Sequence, residues 1–133
     1  MTFFVDTSGL FALMDEGDPR HDRAIGWLED VTAEGDQTLR THSYVVSETI
    51  ALTHARLGGS AVRTLIDDVL PALDIRFVDR ALHDRAIAAF LAGLGRRISF
   101  VDRTSFELMR LEGIRHAFSF DDDFADEGFT VVP

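Results

Sequence analysis

Three copies of Phe-Val-Asp, at residues 4–6, 77–79 and 100–102, and a near-copy, Phe-Ser-Phe-Asp, ending at Asp121, give this chain a repeated chemical signature. Each is an apolar, β-prone run that stops on a carboxylate and hands over to a helical pattern. In an open parallel sheet that junction is the C-terminal end of a strand, the edge along which ligands bind. Carboxylates at several such ends converge, and a group of them with no cationic partner in sequence suits a hard divalent cation.

The acids differ in what else they can do. Asp6 follows Phe3-Phe4-Val5, which reads as a strand buried on both faces, and as a cap for the next helix or as a metal ligand it remains open to both roles. Glu48 has Tyr44, Val45, Ala51 and Leu52 at helical spacings of three and four, which sets it inside an apolar stripe. An ionised carboxylate buried there needs an Arg or a metal. Asp102 ends the run Ile98–Val101 and precedes Thr104-Ser105-Phe106-Glu107, which has the spacing of a capping box with Thr104 as the cap. That leaves Asp102 free to coordinate. Asp121 opens the run Asp121-Asp122-Asp123, whose mutual repulsion a cation would relieve, and Asp123 reads as a rim group. Asp79 is assigned to helix capping, because its helix has no other obvious cap. The five histidines (21, 42, 54, 83 and 116) show no ligand spacing and read as surface or packing residues.

The elements that must position these groups follow from periodicity. Strands are expected at Thr2–Asp6, Gln37–Thr41, Asp74–Val78, Ile114–Phe120 and Phe129–Val132. Helices are expected at Thr7–Met14, 19–34, from a Ser43 cap to about Leu57, and at 60–70, 80–94 and 103–112. Strands alternating with helices predict a three-layer α/β/α sandwich with a central, mainly parallel sheet, as a single domain over residues 1–133.

Composition narrows the chemistry. At 133 residues and 46% hydrophobic the chain can build a proper core. It has no apolar stretch long enough to span a membrane, and its N-terminus reads as strand and helix rather than as a targeting segment. There is no Cys, so disulfides and thiolate sites are excluded, which fits a cytoplasmic location. There is no Lys either. All 13 basic residues are Arg, which excludes a Walker-type phosphate loop and Schiff-base catalysis. Net charge is −10, yet residues 76–115 hold 8 Arg against 5 acids. Arg96, Arg97, Arg103, Arg110 and Arg115 there are readable as solvated helix faces or as a local phosphate-contacting patch.

Taken in order, Phe4-Val5-Asp6-Thr7-Ser8, Ser47-Glu48-Thr49, Ser99-Phe100-Val101-Asp102 and Phe120-Asp121-Asp122-Asp123-Phe124 followed by Gly128-Phe129 resemble the PIN-domain ribonucleases, and specifically the VapC-type toxins of bacterial toxin–antitoxin pairs. The resemblance implies four acids, Asp6, Glu48, Asp102 and Asp121, binding Mg²⁺ or Mn²⁺ and hydrolysing RNA. Thr7 and Ser8 would sit as hydroxyl neighbours of the first acid, with Ser105 and Asp123 near the site. It implies further a homodimer, a cognate antitoxin with a basic C-terminal segment, and a transfer, ribosomal or messenger RNA substrate. A catalytically inactive PIN scaffold and a metal-dependent phosphatase are the competing readings. A phosphatase of the haloacid-dehalogenase type would need an acid at position 8, which is Ser.

Overall fold

The computed structural model describes residues 1–133. Its strands are β1 (Thr2–Val5), β2 (Thr38–His42), β3 (Asp74–Arg76), β4 (His116–Phe118) and β5 (Thr130–Val132). Its helices are α1 (Thr7–Met14), α2 (His21–Glu34), α3 (Ser43–Leu57), α4 (Gly59–Thr64), α5 (Arg80–Ala92), α6 (Phe100–Glu112) and α7 (Asp123–Asp126). The strands form one sheet in the order β3-β2-β1-β4-β5, and every pairing is parallel.

That order carries the functional geometry. The chain steps outward from β1 through β2 to β3, then returns across both to place β4 on the other side of β1. Right-handed crossovers in opposite directions put their helices on opposite faces, which makes the sandwich three-layered. The reversal falls between β1 and β4, and a crevice opens at the carboxyl ends of those two strands. Asp6 leaves β1 there, and Ser119 and Asp121 leave β4.

Hydrophobic burial holds the crevice walls rigid. Phe4, Val5 and Phe118 from the central strands, Leu10 from α1, Phe106 and Met109 from α6, and Phe124 from α7 are at most 1% exposed. Trp27 stacks on Phe118 with ring centroids 4.4 Å apart. Gly9 lets α1 approach β4 more closely than a side chain would permit. A Cβ there would lie 2.6 Å from the Phe118 ring and 2.7 Å from the Phe118 carbonyl oxygen. Ser8 is thereby brought against Ser119. At the far end of α6, Gly113 closes the helix at φ 68°, a left-handed turn that glycine adopts without strain.

The structure corrects three of the expected boundaries. Ile98–Val101 is not a strand: Ser99 caps α6 and the helix begins at Phe100, three residues ahead of the expected start, so Asp102 sits in its first turn. The cap of α3 is the side chain of His42, not Ser43, which is the first helical residue. The helix expected over 60–70 is α4 as far as Thr64, then a widened turn over Leu65–Val69, then a tight turn through Pro71. Proline has no N–H to continue the helical ladder.

Gly9→Ala therefore tests the close approach of α1 to β4. Because the obstructing atoms include backbone, overpacking should destabilise the fold by about 1–3 kcal/mol, measured as a lower urea midpoint at unchanged m-value.

Candidate metal centre

Asp6 ends β1 and is 3% exposed. All of its side-chain hydrogen bonds fall on one oxygen: Oδ2 accepts from the Ser8 hydroxyl at 2.9 Å, the Ser119 hydroxyl at 3.0 Å and the Ser8 amide at 3.4 Å. It thus caps α1. Oδ1 is buried and has no hydrogen-bond partner. A buried carboxylate oxygen left bare is rare, and a cation is the natural occupant opposite it.

The two serines act as a hub. Their hydroxyls lie 3.2 Å apart, the Phe120 amide donates to Ser8 Oγ at 2.9 Å, and the Asp121 amide donates to Ser119 Oγ at 3.0 Å. The Asp123 amide then donates to Asp121 Oδ1 at 2.9 Å. The residues that orient Asp6 thus also fix the backbone that presents Asp121.

Asp102 arrives from α6, its amide donating to Ser99 Oγ at 3.0 Å. One carboxylate oxygen each from Asp6, Asp102 and Asp121 lies within 4.8 Å of the others. Three oxygens at ~2.1 Å from one Mg²⁺ would stand about 3–4 Å apart, so modest side-chain rotation closes them on a single ion. No Arg or His forms an ion pair with any of the three. The donor set is all oxygen, as a hard cation prefers.

The electrostatics record the crowding. Burial lifts the Asp6 carboxyl from 3.8 to about 6, against the hydrogen bonds from Ser8 and Ser119 that favour its charge. Burial also lifts Asp102 well above the carboxylate range, reinforced by the neighbouring charges of Asp6 and Asp121, by a hydrogen bond with Asp121, and by Glu48. Asp123 is raised too, by burial and then by the charge of Asp121.

Glu48 is where the structure departs from the sequence reading. It is exposed, although its charge acts on Asp102. The buried stripe of α3 runs through Val45, Thr49 and Thr53. Hydrophobic neighbours at helical spacing do not bury it because Tyr44 and Leu52 are themselves only half-buried and Ala51 is exposed. Thr7 is buried with its hydroxyl unpartnered. Ser105 is buried beside His42 rather than at the mouth, within 2.9 Å of His42 Nε2, and donates to the Val101 carbonyl. Asp79 caps α5, accepting from the Leu82 amide at 2.8 Å.

Two residues of this neighbourhood gave little sign of themselves in sequence. Ser119 stands mid-run in Phe-Ser-Phe-Asp, and only its lone polarity between two rings marks it. His42 is fully buried, and its Nδ1 accepts from the Tyr44 and Val45 amides at 3.2 and 3.3 Å. Nε2 must therefore carry the proton, donated to Ser105. One imidazole caps the helix that carries Glu48 and ties it to the helix that carries Asp102. Burial pushes the His42 pKa down to about 3. The Arg-rich segment is mostly committed elsewhere: Arg96, Arg103 and Arg110 all converge on Glu127, at 3.4, 3.3 and 2.8 Å.

With this geometry in hand, comparison with known proteins gives a consistent result. Residues 3–129 match the family model described as PIN domain. The 23S rRNA-specific endonuclease VapC20 of Mycobacterium tuberculosis is 35% identical over 130 residues, covering 97% of this chain and 96% of the relative. The crystal structure of that Mycobacterium tuberculosis protein, described as a sarcin–ricin loop cleaving toxin, superposes with a TM-score of 0.85 at 34% identity, over 98% of this chain and 99% of the other. VapBC2 from Rickettsia felis, bound to a DNA fragment from its promoter, shares the fold with a TM-score of 0.73 at 13% identity, covering 98% and 97% of the two chains.

Two measurements follow from the titration of these groups. Without metal, the folded protein holds protons on Asp6 and Asp102 that the unfolded chain has lost, so their contribution is present below about pH 4 and is lost as pH rises through about 6 and beyond. Asp102→Asn should then raise the metal-free melting temperature at pH 7.5 by about 5 °C. Millimolar Mn²⁺ should stabilise the natural protein and leave the variant nearly unchanged. His42 has the opposite sign: its contribution is complete above about pH 6.5 and is lost as pH falls toward 3. His42→Asn should be less stable at pH 7.5, and its urea midpoint should fall less than that of the natural protein on acidification to pH 5.

Proposed function

The chain belongs to the PIN-domain family as a VapC-type ribonuclease, and on that premise we propose that it cuts ribosomal RNA as the toxic half of a toxin–antitoxin pair, using Mg²⁺ or Mn²⁺ held by Asp6, Asp102 and Asp121. The observation that carries the metal assignment is the bare Oδ1 of buried Asp6, in a group of three acids that each offer an oxygen within 4.8 Å of the others. A bound divalent ion would neutralise charge on the phosphoryl oxygens and acidify an attacking water.

The chain's own residues would do the rest. Ser8 and Ser119 hold the Asp6 carboxylate in one rotamer and leave its second oxygen for the cation. Asp102 and Asp121 would complete the face, with a hydrogen bond from Asp121 among the causes that raise the Asp102 carboxyl. Glu48, exposed and close enough for its charge to act on Asp102, would act on the ion directly or through water. Thr7, with its unpartnered hydroxyl, and Asp123, hydrogen-bonded to Asp121, serve as neighbouring support.

Ribosomal RNA is favoured over transfer or messenger RNA because the relative that is 35% identical along 97% of this chain is named for cutting 23S rRNA. An antitoxin with a basic C-terminal segment fits a protein of net charge −10. A homodimer in the cytoplasm belongs to the same reading. No helix is long and apolar enough to cross a membrane. The match of family and acids supports neither the phosphatase nor the inactive scaffold.

The test is cleavage of a ribosomal-RNA hairpin by purified protein. Activity should appear with Mg²⁺ or Mn²⁺ and vanish on chelation. Asp6→Asn and Asp102→Asn should each lower the rate by roughly two to three orders of magnitude, and Ser119→Ala should weaken metal affinity by about 10-fold or more. Hydrolysis that persists in chelator would remove the metal mechanism.

A further inference from the structure

An aromatic group unused by the metal centre lies along the same edge of the sheet. Phe77 is 82% exposed, the most exposed large hydrophobic side chain of the protein. It follows Arg76, which is in register with His42, and the next amide, that of Val78, donates to Ser43 Oγ at 2.9 Å. Phe77 is thus held at the carboxyl end of β3, beside the first turn of α3. There Tyr44 begins a cluster of half-buried rings. Its hydroxyl is 2.6 Å from His83 Nδ1, and its ring lies 5.9 Å from Phe100. His83 and Phe90 pack edge-on against Phe100 at 5.5 and 5.7 Å.

Both ends of this cluster lead to the acids. Tyr44 is one helical turn, about 5.4 Å, before Glu48, and Phe100 is two residues before Asp102 in the opening turn of α6. Two cations flank the exposed ring in sequence, one residue before it and three after: the side chain of Arg76 is 52% exposed and that of Arg80 is 89% exposed. Their acidic contacts are weak ones, a 3.7 Å approach to Glu112 and a surface pair with Asp84. An exposed ring flanked in sequence by two Arg, on the same edge of the sheet as an edge-packed aromatic cluster and the acidic residues, has the composition of a single-stranded nucleic-acid platform.

We propose that Phe77 stacks an unpaired nucleobase of the substrate RNA adjacent to the scissile phosphate, with Arg76 and Arg80 holding the flanking phosphates and the Tyr44–His83–Phe100 cluster stiffening the platform. This inference rests on the ribonuclease reading above. It assigns the β3–α5 connection the task of accepting a base that the substrate has unstacked, so unpaired RNA should be preferred over duplex.

The experiment uses short single-stranded oligoribonucleotides carrying 2-aminopurine at successive positions, mixed with the full chain in chelator, where binding proceeds without cleavage. Stacking should quench the fluorescence at one position. The quench should survive in Phe77→Trp and be lost in both Phe77→Ala and Phe77→Leu. With Mn²⁺ present, the two non-aromatic variants should raise KM about 10-fold, with kcat changed less than twofold. A quench retained in Phe77→Ala, or a Phe77→Leu protein that matches the natural one, overturns the platform while leaving the nuclease intact. Sedimentation showing that Phe77→Ala converts a dimer into monomers also overturns it, since a second copy would then cover the ring. Failure of the natural protein to cleave any RNA with any divalent ion overturns the ribonuclease reading instead.

Discussion

The folded chain forces negative charge into a place where nothing on the protein neutralises it. Asp6 is buried at the mouth of the sheet, Asp102 and Asp121 come within 4.8 Å of it, and no Arg answers them. Bringing carboxylates out of water and together is unfavourable on both counts, desolvation and repulsion. The protein bears this by retaining a proton on Asp102 near neutrality and by concentrating the available hydrogen bonds on a single Asp6 oxygen. Both expedients are second best to a cation, and a site so arranged is tuned to take one up. Core packing, helix capping and strand order can all be understood as what keeps these three groups from moving apart.

Distribution of that constraint over the fold is economical. The strand order reverses at β1 and β4, so Asp6 and Ser119 leave neighbouring strands on the same edge. Contact of α1 with β4 at Gly9 sets Ser8 against Ser119 and thereby links the orientation of Asp6 to the backbone at Asp121. On the other side, His42 fastens α3 to α6 through Ser105. A neutral imidazole suits that post because it offers one acceptor and one donor at fixed angles without adding charge to the core. Protonation would eliminate the acceptor on which the first turn of α3 depends. Acid thus loosens the helix carrying Glu48, just as it relieves the repulsion among the three aspartates.

Local signals carried the alternation of strands and helices, the capping role of Asp79 and the strand ends at Asp6 and Asp121, because in each the deciding physics lies within a few residues. Asp102 was read at a strand end because Phe-Val is β-prone; the Ser99 cap with Asp102 three residues on is an equally local helix signal, and packing of Phe100 among Tyr44, His83 and Phe90 decides between them. That contest is tertiary and leaves no trace in a seven-residue window. Exposure of Glu48 was illegible for a related reason: periodicity identifies which residues share a helix face, but not which part of that face opens onto a crevice. Ser119 and His42 matter through partners 113 and 63 residues away in sequence. Arg103 and its neighbours resembled a phosphate patch until Glu127 was seen to gather them.

An acidic nuclease must still hold a polyanion, and the positions of its charges indicate how. With three arginines drawn to Glu127, the Arg-rich segment offers less positive surface than its composition suggests. A broad electrostatic footprint, which would bind any RNA at low salt, is therefore absent from the residues one would first choose for it. What remains is local: an acidic cluster whose charge a bound cation would invert, and two exposed arginines flanking Phe77 in sequence. Binding energy drawn from those few contacts rewards a substrate that brings a phosphate and an unstacked base to the same edge simultaneously. Regular duplex offers the first without the second, and repulsion from the remaining acidic surface penalises indiscriminate contact. On the proposed platform, selectivity for a structured RNA with exposed bases would come from charge placement, without any base-specific hydrogen bond.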